Sequence, residues 1–458
     1  MRKRTVLLTI STLVAASSVA APAVAGGHGH HSDLGREVLG ENDGWAAAAG
    51  GTTGGSAADE DHVFVVDTWD EFRAALGGAD ARGDTTDRIV YVDGELHANV
   101  FEDIQASCDY YADQAGFDFD EYLARAATWT EEEEDADPEM HEAREAAAEV
   151  QDDQVRQFVG SNVTIVGVGE DARIVGAHIF VRDADNVIIR NLTVSDAYEC
   201  FPEWDPTDGD SGAWNADYDN VSVRTSTHVW LDHNTFDDGD HPPSTYPALL
   251  GAPFEVHDGL VDVTHGSNYV TISYNEFLDH DKTMLIGSSN SGSTARGDFR
   301  KLKVTVHHNL FDNLGQRLPR VRFGQVHVYN NHYVVPDADG WHYAFGVGVT
   351  SVDADQDGDI DELPAGIYAE NNYFELGDDV EPATMIQDWG GPAIHVDGTL
   401  VNGTSSHDEV DLLAAYNSTA DEPLSGDVGW EPSLVGTFHP TQAVPAQVSA
   451  HAGAGELG

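Results

Sequence analysis

Lysine is almost absent from this chain of 458 residues, where it occupies four positions. All basic residues together number 22 against 81 acidic ones, so the formal net charge at pH 7 is −59. We therefore expect no nucleic-acid partner, since binding to phosphates needs a basic surface. Such a charge also destabilises the fold by self-repulsion at low salt. Because the Debye length falls to about 3 Å in 1 M salt, we interpret the composition as adaptation to molar salt. A merely acidic secreted protein is the alternative.

Long apolar runs are missing beyond the N-terminus, so no later segment is predicted to span a bilayer. The N-terminus combines the basic residues 2–4, the apolar stretch 6–20 and an Ala-Val-Ala sequence at 23–25. This order is typical of a cleaved export signal over residues 1–25. We therefore expect a secreted, extracellular protein without a membrane partner.

Cysteine is scarce, with Cys108 and Cys200 as the whole complement. Neither belongs to a CxxC pair, which excludes the usual spacing of a redox or zinc site. In an exported protein a disulfide between the two is expected to be stable. Two separate buried thiols are the alternative that the sequence leaves open.

The strand-forming part of the chain is predicted to be one domain over residues 62–396. Residues 26–61 are rich in Gly, Ala and His and are predicted to form a flexible leader. Residues 107–158 lack β-rich runs and contain helix formers and acidic residues, which indicates a helical insertion. Residues 397–458 have few strand signals and are predicted to pack on the domain exterior or to end as a loose tail.

One short phrase recurs along the domain: a few β-branched or aromatic residues, then Asn, then an aromatic or apolar residue. The intervals between successive copies are 43, 41, 34, 22 and 41 residues. Recurrence of one unit is typical of a solenoid. We predict an all-β protein, a right-handed parallel β-helix with long loops forming a groove on one face. The repeated asparagines are expected to form a hydrogen-bonded ladder at one corner; they are Asn191, Asn234, Asn275, Asn309, Asn331 and Asn372.

Three aspartates stand in successive phrases with no basic residue beside them: Asp219, Asp258 and Asp262. Residues four apart on a strand point to the same side, so Asp258 and Asp262 are predicted to project together. Converging carboxylates suit a hard cation such as Ca²⁺, which takes six to eight oxygen ligands. Ordinary surface aspartates in an acidic protein are the alternative.

The scarce positive charge is concentrated in one stretch. Between Lys282 and Arg322 lie eight of the basic residues and two acidic ones. A local basic patch on an anionic protein indicates an anionic ligand. In the sequence QRLPRVRFG, Pro319 favours an extended backbone, so that Arg320 and Arg322 share a face and Arg317 lies at the approach. The alternatives are ordinary ion pairs, of Lys282 with Asp279 or Asp281 and of the arginines with the abundant acids.

A second acidic pattern reads D-x-D-x-D-G-x-I-D. Its residues Asp353, Asp355, Asp357 and Asp361 match an EF-hand-type calcium loop, although position twelve is Pro364 and no flanking helices are predicted. The sequence therefore leaves open a structural Ca²⁺ site or an acidic surface loop.

Several longer motifs occur together and in one order. They are VWLDH at 229–233, HDGLVDV at 257–263, HDKTMLIG at 280–287 and QRLPRVRFGQVHVYNN at 316–331. In these segments the chain resembles the pectate lyases of polysaccharide lyase family 1, and the resemblance extends over roughly residues 63–374. It implies a Ca²⁺-dependent β-elimination on polygalacturonate.

The resemblance also implies roles for individual residues. Lys282 and Arg322 match positions that contact substrate carboxylates, Arg317 matches the arginine assigned as Brønsted base, and Arg320 is taken as a further substrate contact. The three aspartates match the primary Ca²⁺ ligands. Two positions match residues that help to hold further Ca²⁺, namely Asp208 and Asn215.

Three other functions stay open on the same scaffold. A pectin lyase would act on methylated substrate and would not need the three aspartates. A β-helical polygalacturonase would need paired carboxylic acids for hydrolysis, and a non-catalytic polysaccharide binder would not need Lys282 or Arg317. We expect a monomeric pectate lyase.

Overall fold

The computed structural model describes residues 33–101, 104–209 and 211–457. The predicted signal at 1–25 and the first part of the predicted leader lie outside the described residues.

Strands dominate the described chain. Their bounds, in chain order, are β1 Val63–Val66, β2 Arg88–His97, β3 Val100–Phe101, β4 Ile104–Gln105, β5 Arg156–Val159, β6 Val163–Val175, β7 His178–Arg182, β8 Asp185–Arg190, β9 Thr193–Ser195, β10 Glu203–Asp205, β11 Ala213–Asn215, β12 Val221–Arg224, β13 Thr227–Asp232, β14 Thr235–Asp237, β15 Ala248–Leu249, β16 Ala252–Pro253, β17 Val261–Thr264, β18 Asn268–Ser273, β19 Glu276–Leu278, β20 Leu285–Ile286, β21 Lys303–His307, β22 Leu310–Asp312, β23 Arg320–Val321, β24 Gly324–Tyr329, β25 His332–Val335, β26 Phe345–Val352, β27 Asp361–Glu370, β28 Tyr373–Leu376, β29 Ile386–Trp389, β30 His395–Asp397 and β31 Leu400–Val401.

Most of these strands lie in three parallel stacks. Stack A contains β1, β2, β6, β8, β13, β18, β21, β24, β27 and β30. Stack B begins at the ends of β2 and β6 and continues through β9, β14, β19, β22, β25, β28 and β31. Stack C contains β5, β7, β12, β17, β20, β23, β26 and β29. Each coil contributes one strand to each stack in turn, so the predicted parallel β-helix is confirmed.

The core lies inside the coils, where alternate strand residues point inward. One column of aromatic rings runs through stack B with centroids 4.4–5.2 Å apart. Burial of these large rings contributes much of the apolar stabilisation of the stack. The column consists of Phe236, Phe277, Phe311, Tyr333 and Phe374.

The asparagine ladder is present at the corner between stacks A and B. In Asn309, for example, Nδ2 donates to Asn331 Oδ1 at 2.9 Å, and Oδ1 accepts the backbone N–H of Asn275 at 2.9 Å. The ladder members are Asn234, Asn275, Asn309, Asn331 and Asn372.

Asn191 was predicted to belong to the ladder but is displaced by one residue. The pairing of Arg190 with Asp232 aligns Asn191 with His233, so that Leu192 stands opposite Asn234. Asn191 therefore has the left-handed backbone conformation, φ 55°, of the residue before each ladder asparagine. Asparagine tolerates that conformation better than most residues.

Residues 33–61 differ from the prediction of a flexible leader, because they pack on the outside of stack A. The backbone N–H of Ala46 donates to Thr271 Oγ1 at 3.1 Å, and that of Gly55 donates to Thr164 Oγ1 at 2.9 Å. A Cβ atom at Gly55 would lie 1.8 Å from the Arg88 carbonyl oxygen. The glycine that suggested flexibility is thus required for close packing.

Helices occur mainly as additions to the coils. They are α1 Trp69–Ala75, α2 Cys108–Ala115, α3 Phe119–Ala126, α4 Glu133–Ala136, α5 Pro138–Val155, α6 Gly292–Asp298, α7 Leu412–Asn417 and α8 Val444–His451. Short 3₁₀ turns cover Leu34–Arg36, Trp45–Gly50, Glu60–His62, Pro243–Thr245, Pro382–Met385, Ser406–Asp408 and Thr441–Ala443. Over the described ranges, no helix has both the length and the apolar character that crossing a membrane requires.

The predicted helical insertion corresponds to α2–α5. A disulfide joins Cys108, at the start of α2, to Cys200 in the loop before β10, with their Cα atoms 5.3 Å apart. The insertion has its own apolar cluster, which includes Tyr122, Trp204 and Trp214. It is therefore a packed lobe that the disulfide fastens to the β-helix.

The C-terminal segment follows the β-helix exterior, which is one of the two arrangements that the sequence left open. Trp430 Nε1 donates to the Gly366 carbonyl at 3.1 Å, and the backbone N–H of His439 donates to Asn330 Oδ1 at 2.7 Å.

Candidate active site

Stack C places the three predicted aspartates in one cluster. Each offers a carboxylate oxygen, and these oxygens lie within 4.8 Å of one another. Asp262 lies on β17, whereas Asp219 and Asp258 belong to the loops that lead into β12 and β17. The prediction that Asp258 and Asp262 lie close together is therefore correct. The reason given for it, an i, i+4 spacing on one strand, is wrong, because Asp258 lies in the loop before β17.

Backbone groups fix two of these carboxylates. Asp219 Oδ1 accepts the N–H of Gly259 at 2.9 Å, and Asp262 Oδ1 accepts the N–H of Leu285 at 2.8 Å. The Ser222 hydroxyl donates to the other oxygen of Asp219. A cation held by this cluster would be bound by carboxylate oxygens of all three aspartates.

Burial and mutual repulsion disfavour the charged forms of these aspartates. Burial, followed by the charges of Asp262 and Asp258, holds the pKa of Asp219 well above its usual value. Burial and Asp258 raise the pKa of Asp262 to about 7, although Arg317 partly opposes this rise. A divalent cation among the carboxylates would remove that repulsion, and an all-oxygen donor set is the one that Ca²⁺ prefers.

Lys282 stands beside the cluster and has a partner that the sequence did not predict. Its Nζ lies 2.7 Å from a carboxylate oxygen of Glu255. Burial alone would lower the pKa of Lys282, but Glu255 and Asp258 together raise it above its usual value. Asp281, one of the predicted partners, instead accepts a hydrogen bond from Gln316 at 3.2 Å.

The three predicted arginines lie on and next to β23, which belongs to the same stack C as Asp262. Arg320 and Arg322 flank the buried Val321 and point outward. Arg322 Nη1 donates to Asn290 Oδ1 at 2.7 Å, and the Arg320 guanidinium lies 4.1 Å from the centre of the Trp389 ring. Burial and the charge of Arg322 lower the pKa of Arg320 to about 10. Arg320 is therefore committed mainly to Trp389, and Arg322 is closer to a free anion-binding group.

The sequence left open that these three arginines form ion pairs with the abundant acids, and they do not do so among the described residues. Within the described ranges, no carboxylate lies within salt-bridge distance of Arg317, Arg320 or Arg322. The Nε atom of Arg317 is buried without a hydrogen-bond partner among those residues. Unpaired guanidinium groups beside a carboxylate cluster are suited to a substrate that carries its own carboxylates.

A cavity of about 910 Å³ adjoins the aspartates. One wall is stack C and the other is the acidic face of α5, so the helical insertion forms a side of the groove. The lining includes Glu142, Glu145, Glu149, Asp152, Arg156, Glu199, Asp217, Asp219, Arg224, Asp258, Asp262, Thr264 and Ser288.

Glu199 and Asp217 are further carboxylates that the sequence did not single out. Glu199 accepts the backbone N–H of Asp217 at 2.6 Å. Burial, with the charge of Asp217, raises the pKa of Glu199 to about 8. Their contact joins two separate loops, so no local pattern could have revealed it.

Asp208 and Asn215 are not brought to the cluster. Asp208 is exposed in the turn between β10 and β11, and Asn215 lies on β11 opposite Glu203. Neither belongs to the described lining of the cavity. Their part in holding further Ca²⁺ stays a prediction.

The acidic D-x-D-x-D-G loop is the tip of the antiparallel hairpin of β26 and β27. Carboxylate oxygens of Asp353, Asp355 and Asp357 come within 4.8 Å of one another, and Asp361 accepts the backbone N–H of Ala354 at 3.1 Å. Strands rather than helices flank the loop, as expected. A structural Ca²⁺ at this tip stays a prediction.

Comparison with known proteins gives a consistent result. A family model described as "Pectate lyase" matches residues 137–457. A pectate lyase of Bacillus subtilis is 40% identical over 432 residues, which cover 93% of this chain and 95% of the relative. Pectate lyase E of Dickeya chrysanthemi is 33% identical, with 79% of this chain and 76% of the relative covered.

Solved structures agree. A thermostable pectate lyase superposes with a TM-score of 0.84 at 42% identity, covering 93% of this chain and all of that one. A pectate lyase bound to a hexasaccharide gives a TM-score of 0.81 at 39% identity, with the same coverage.

The family model, the relatives and the solved structures together assign this parallel β-helix to the polysaccharide lyases. Within that class, the chain belongs to the pectate lyase family.

Proposed function

We propose that this protein is a secreted, Ca²⁺-dependent pectate lyase that cleaves de-esterified polygalacturonate by β-elimination and releases 4,5-unsaturated oligogalacturonates. The observation that carries the proposal is the convergence of carboxylate oxygens of Asp219, Asp258 and Asp262 within 4.8 Å. Beside them lie Lys282 and arginines that form no salt bridge with a described carboxylate. A substrate with a carboxylate on every sugar unit could bind both a cation held by the aspartates and the basic side chains beside them.

The aspartates would hold Ca²⁺, which when bound would neutralise a uronate carboxylate so that negative charge can develop beside C5. Lys282 and Arg322 would contact carboxylates from the other side. In the free protein Lys282 is held by Glu255 at 2.7 Å, so the substrate must displace or share that partner.

Arg317 is the proposed base. It would take the proton from C5, the C–H electron pair would form the C4=C5 double bond, and the C4–O bond would break. The leaving oxygen would then take a proton from water. Arginine is normally protonated, with a pKa above about 12. We therefore expect an alkaline activity optimum.

One assay tests the proposal: polygalacturonate is incubated with the protein, with and without EDTA, and the ultraviolet absorbance of the unsaturated product is followed across pH and salt. Absorbance that rises with Ca²⁺ and is abolished by EDTA is expected. No rise under any condition would reject a lyase. Activity that resists EDTA and prefers methylated substrate would indicate a pectin lyase, and reducing ends formed without absorbance would indicate a hydrolase.

A further inference from the structure

The row of outward residues next to the aspartates on stack C contains two more arginines. Arg182 on β7 pairs with Arg224 on β12, which in turn pairs with Thr264 on β17. Continuing the register through β20 and β23 places Gly287 and then Arg322 in the same row. Neighbouring strands are about 4.8 Å apart, so Arg224 lies about 14 Å along the sheet from Arg322. Asp262 of the aspartate cluster lies between them, on β17 two residues before Thr264.

Arg224 is held in place without a carboxylate. Its Nη2 donates to Nε2 of His265 at 2.5 Å. Burial, then the charges of Arg224 and Arg182, lowers the pKa of His265 to about 4. The neutral ring can therefore accept this bond, while its Nδ1 lies 3.0 Å from Thr264 Oγ1 and can donate to it. The arrangement orients the guanidinium without a salt bridge to any described carboxylate, while the more distant charges of Asp183 and Asp217 act on it.

The other cations that line the cavity are already paired. Arg144 binds Glu133 at 2.9 Å, and Arg156 forms a salt bridge with Asp152. Among the described residues of the lining, Arg224 is thus the cation with no carboxylate within 4 Å. The α5 wall opposite carries acidic residues that repel a polyanion, so the Arg224 wall is the one against which an acidic chain could lie.

We propose that Arg224 forms an additional subsite that binds a uronate carboxylate of the polysaccharide on the far side of the aspartate cluster from Arg322. The inference rests on the proposed function, because the ligand is that substrate. It predicts that the enzyme gains transition-state binding from sugar units remote from the cleaved bond, so that longer chains are better substrates.

The test compares kcat/KM for a short oligogalacturonate, such as the trimer, with that for a hexamer. We expect Arg224→Gln to reduce the hexamer-to-trimer ratio of kcat/KM by about tenfold, the effect of losing one hydrogen bond to a charged group. Arg224→Lys should restore part of the ratio, since it keeps the charge but not the guanidinium fork. Lys303→Gln is the control: it removes one positive charge from stack A, where Lys303 packs on Trp45, and should leave the ratio unchanged.

An equal loss on both substrates, or an unchanged ratio in Arg224→Gln, would overturn the proposal. A second measurement separates this failure from failure of the proposed function. Calorimetric titration of the hexamer into Arg317→Ala protein, with and without Arg224→Gln, reports binding in the absence of turnover. If the unsubstituted protein cleaves no oligogalacturonate, the function is wrong. If it cleaves them but Arg224→Gln does not weaken hexamer binding, only the subsite is wrong.

Discussion

Lys282 faces two competing carboxylates: that of Glu255 in the free protein and that of the proposed substrate. The ion pair of Lys282 with Glu255, at 2.7 Å, is only partly exposed to solvent. The sequence identified the lysine but not its partner, because the two lie on separate loops that only the coil register brings together.

Replacing Glu255 by Gln is expected to lower KM for polygalacturonate by about two- to fivefold, since a partly exposed ion pair contributes at most about 1 kcal/mol. Steady-state kinetics check this, with Glu375→Gln as a control that removes the same charge from an exposed position on β28. A fall in kcat with no change in KM would instead show that Glu255 positions Lys282 for turnover.

Arg317 allows a sharper prediction. We expect Arg317→Ala to reduce kcat by about 10²–10⁴-fold, the usual contribution of a general base, while the far-ultraviolet circular dichroism and melting temperature stay close to those of the unsubstituted protein. Near-normal turnover would remove Arg317 from the mechanism. Lys282→Ala, measured in parallel, is expected to raise KM more than Arg317→Ala does.

At the scale of elements, the asparagine ladder and the C-terminal segment determine how the coils are joined. The ladder side chains are fully buried and replace backbone partners at a corner where the chain turns. The C-terminal segment closes the outside of the same corner through His439 and Asn330.

Asn309→Ala is expected to destabilise the protein by about 1–3 kcal/mol for each buried polar group left unpaired. It would remove the acceptor of the Asn275 backbone N–H and the donor to the Ile272 carbonyl. Denaturant unfolding measures the change. A loss below about 0.5 kcal/mol would mean that the ladder is replaceable by water.

His308 links stability to pH at this corner. Burial, followed by the charges of His307, His439 and His451, lowers its pKa from 6.5 to about 2. A group whose pKa is depressed in the folded state binds more protons when unfolded. Its contribution is therefore complete above pH 6.5 and is lost as pH falls from there toward 2.

We expect the free energy of unfolding to fall by about 1.4 kcal/mol per pH unit below pH 6.5 for this one histidine. In His308→Asn, which retains a residue that tolerates the observed φ of 57°, the slope between pH 6.5 and 5 should be reduced by that amount. Equal slopes in the two proteins would show that His308 is already accessible to protons.

For the whole molecule, charge is the dominant feature. With a net charge of −59, we expect the melting temperature to rise steadily with NaCl from dilute buffer to molar concentration, because screening relieves repulsion among exposed carboxylates. Equal or higher stability in dilute buffer would reject adaptation to high salt. Added Ca²⁺ should also raise the melting temperature, at concentrations too low to screen the repulsion among exposed carboxylates.

The solenoid and the proximity of the three aspartates could be predicted from the sequence for definite reasons. The recurring phrase marks a repeated unit, and the motifs around Asp258 and Arg317 are local. The N-terminal segment could not be predicted, because Gly-rich composition fits both flexibility and close packing. Only the contact of Gly55 with the Arg88 carbonyl distinguishes the two.

The sequence by itself determined the parallel coils, the aspartates and the basic stretch, because these follow from periodicity, residue type and local motifs. Only the tertiary structure decided which groups remain unpaired. Glu255 pairs with Lys282, the Arg320 guanidinium lies on the Trp389 ring, and Arg224 lines the cavity without a salt bridge to any described carboxylate. Each of these outcomes depends on which residues of different coils become neighbours, and that is set by loop lengths and strand register rather than by any local pattern.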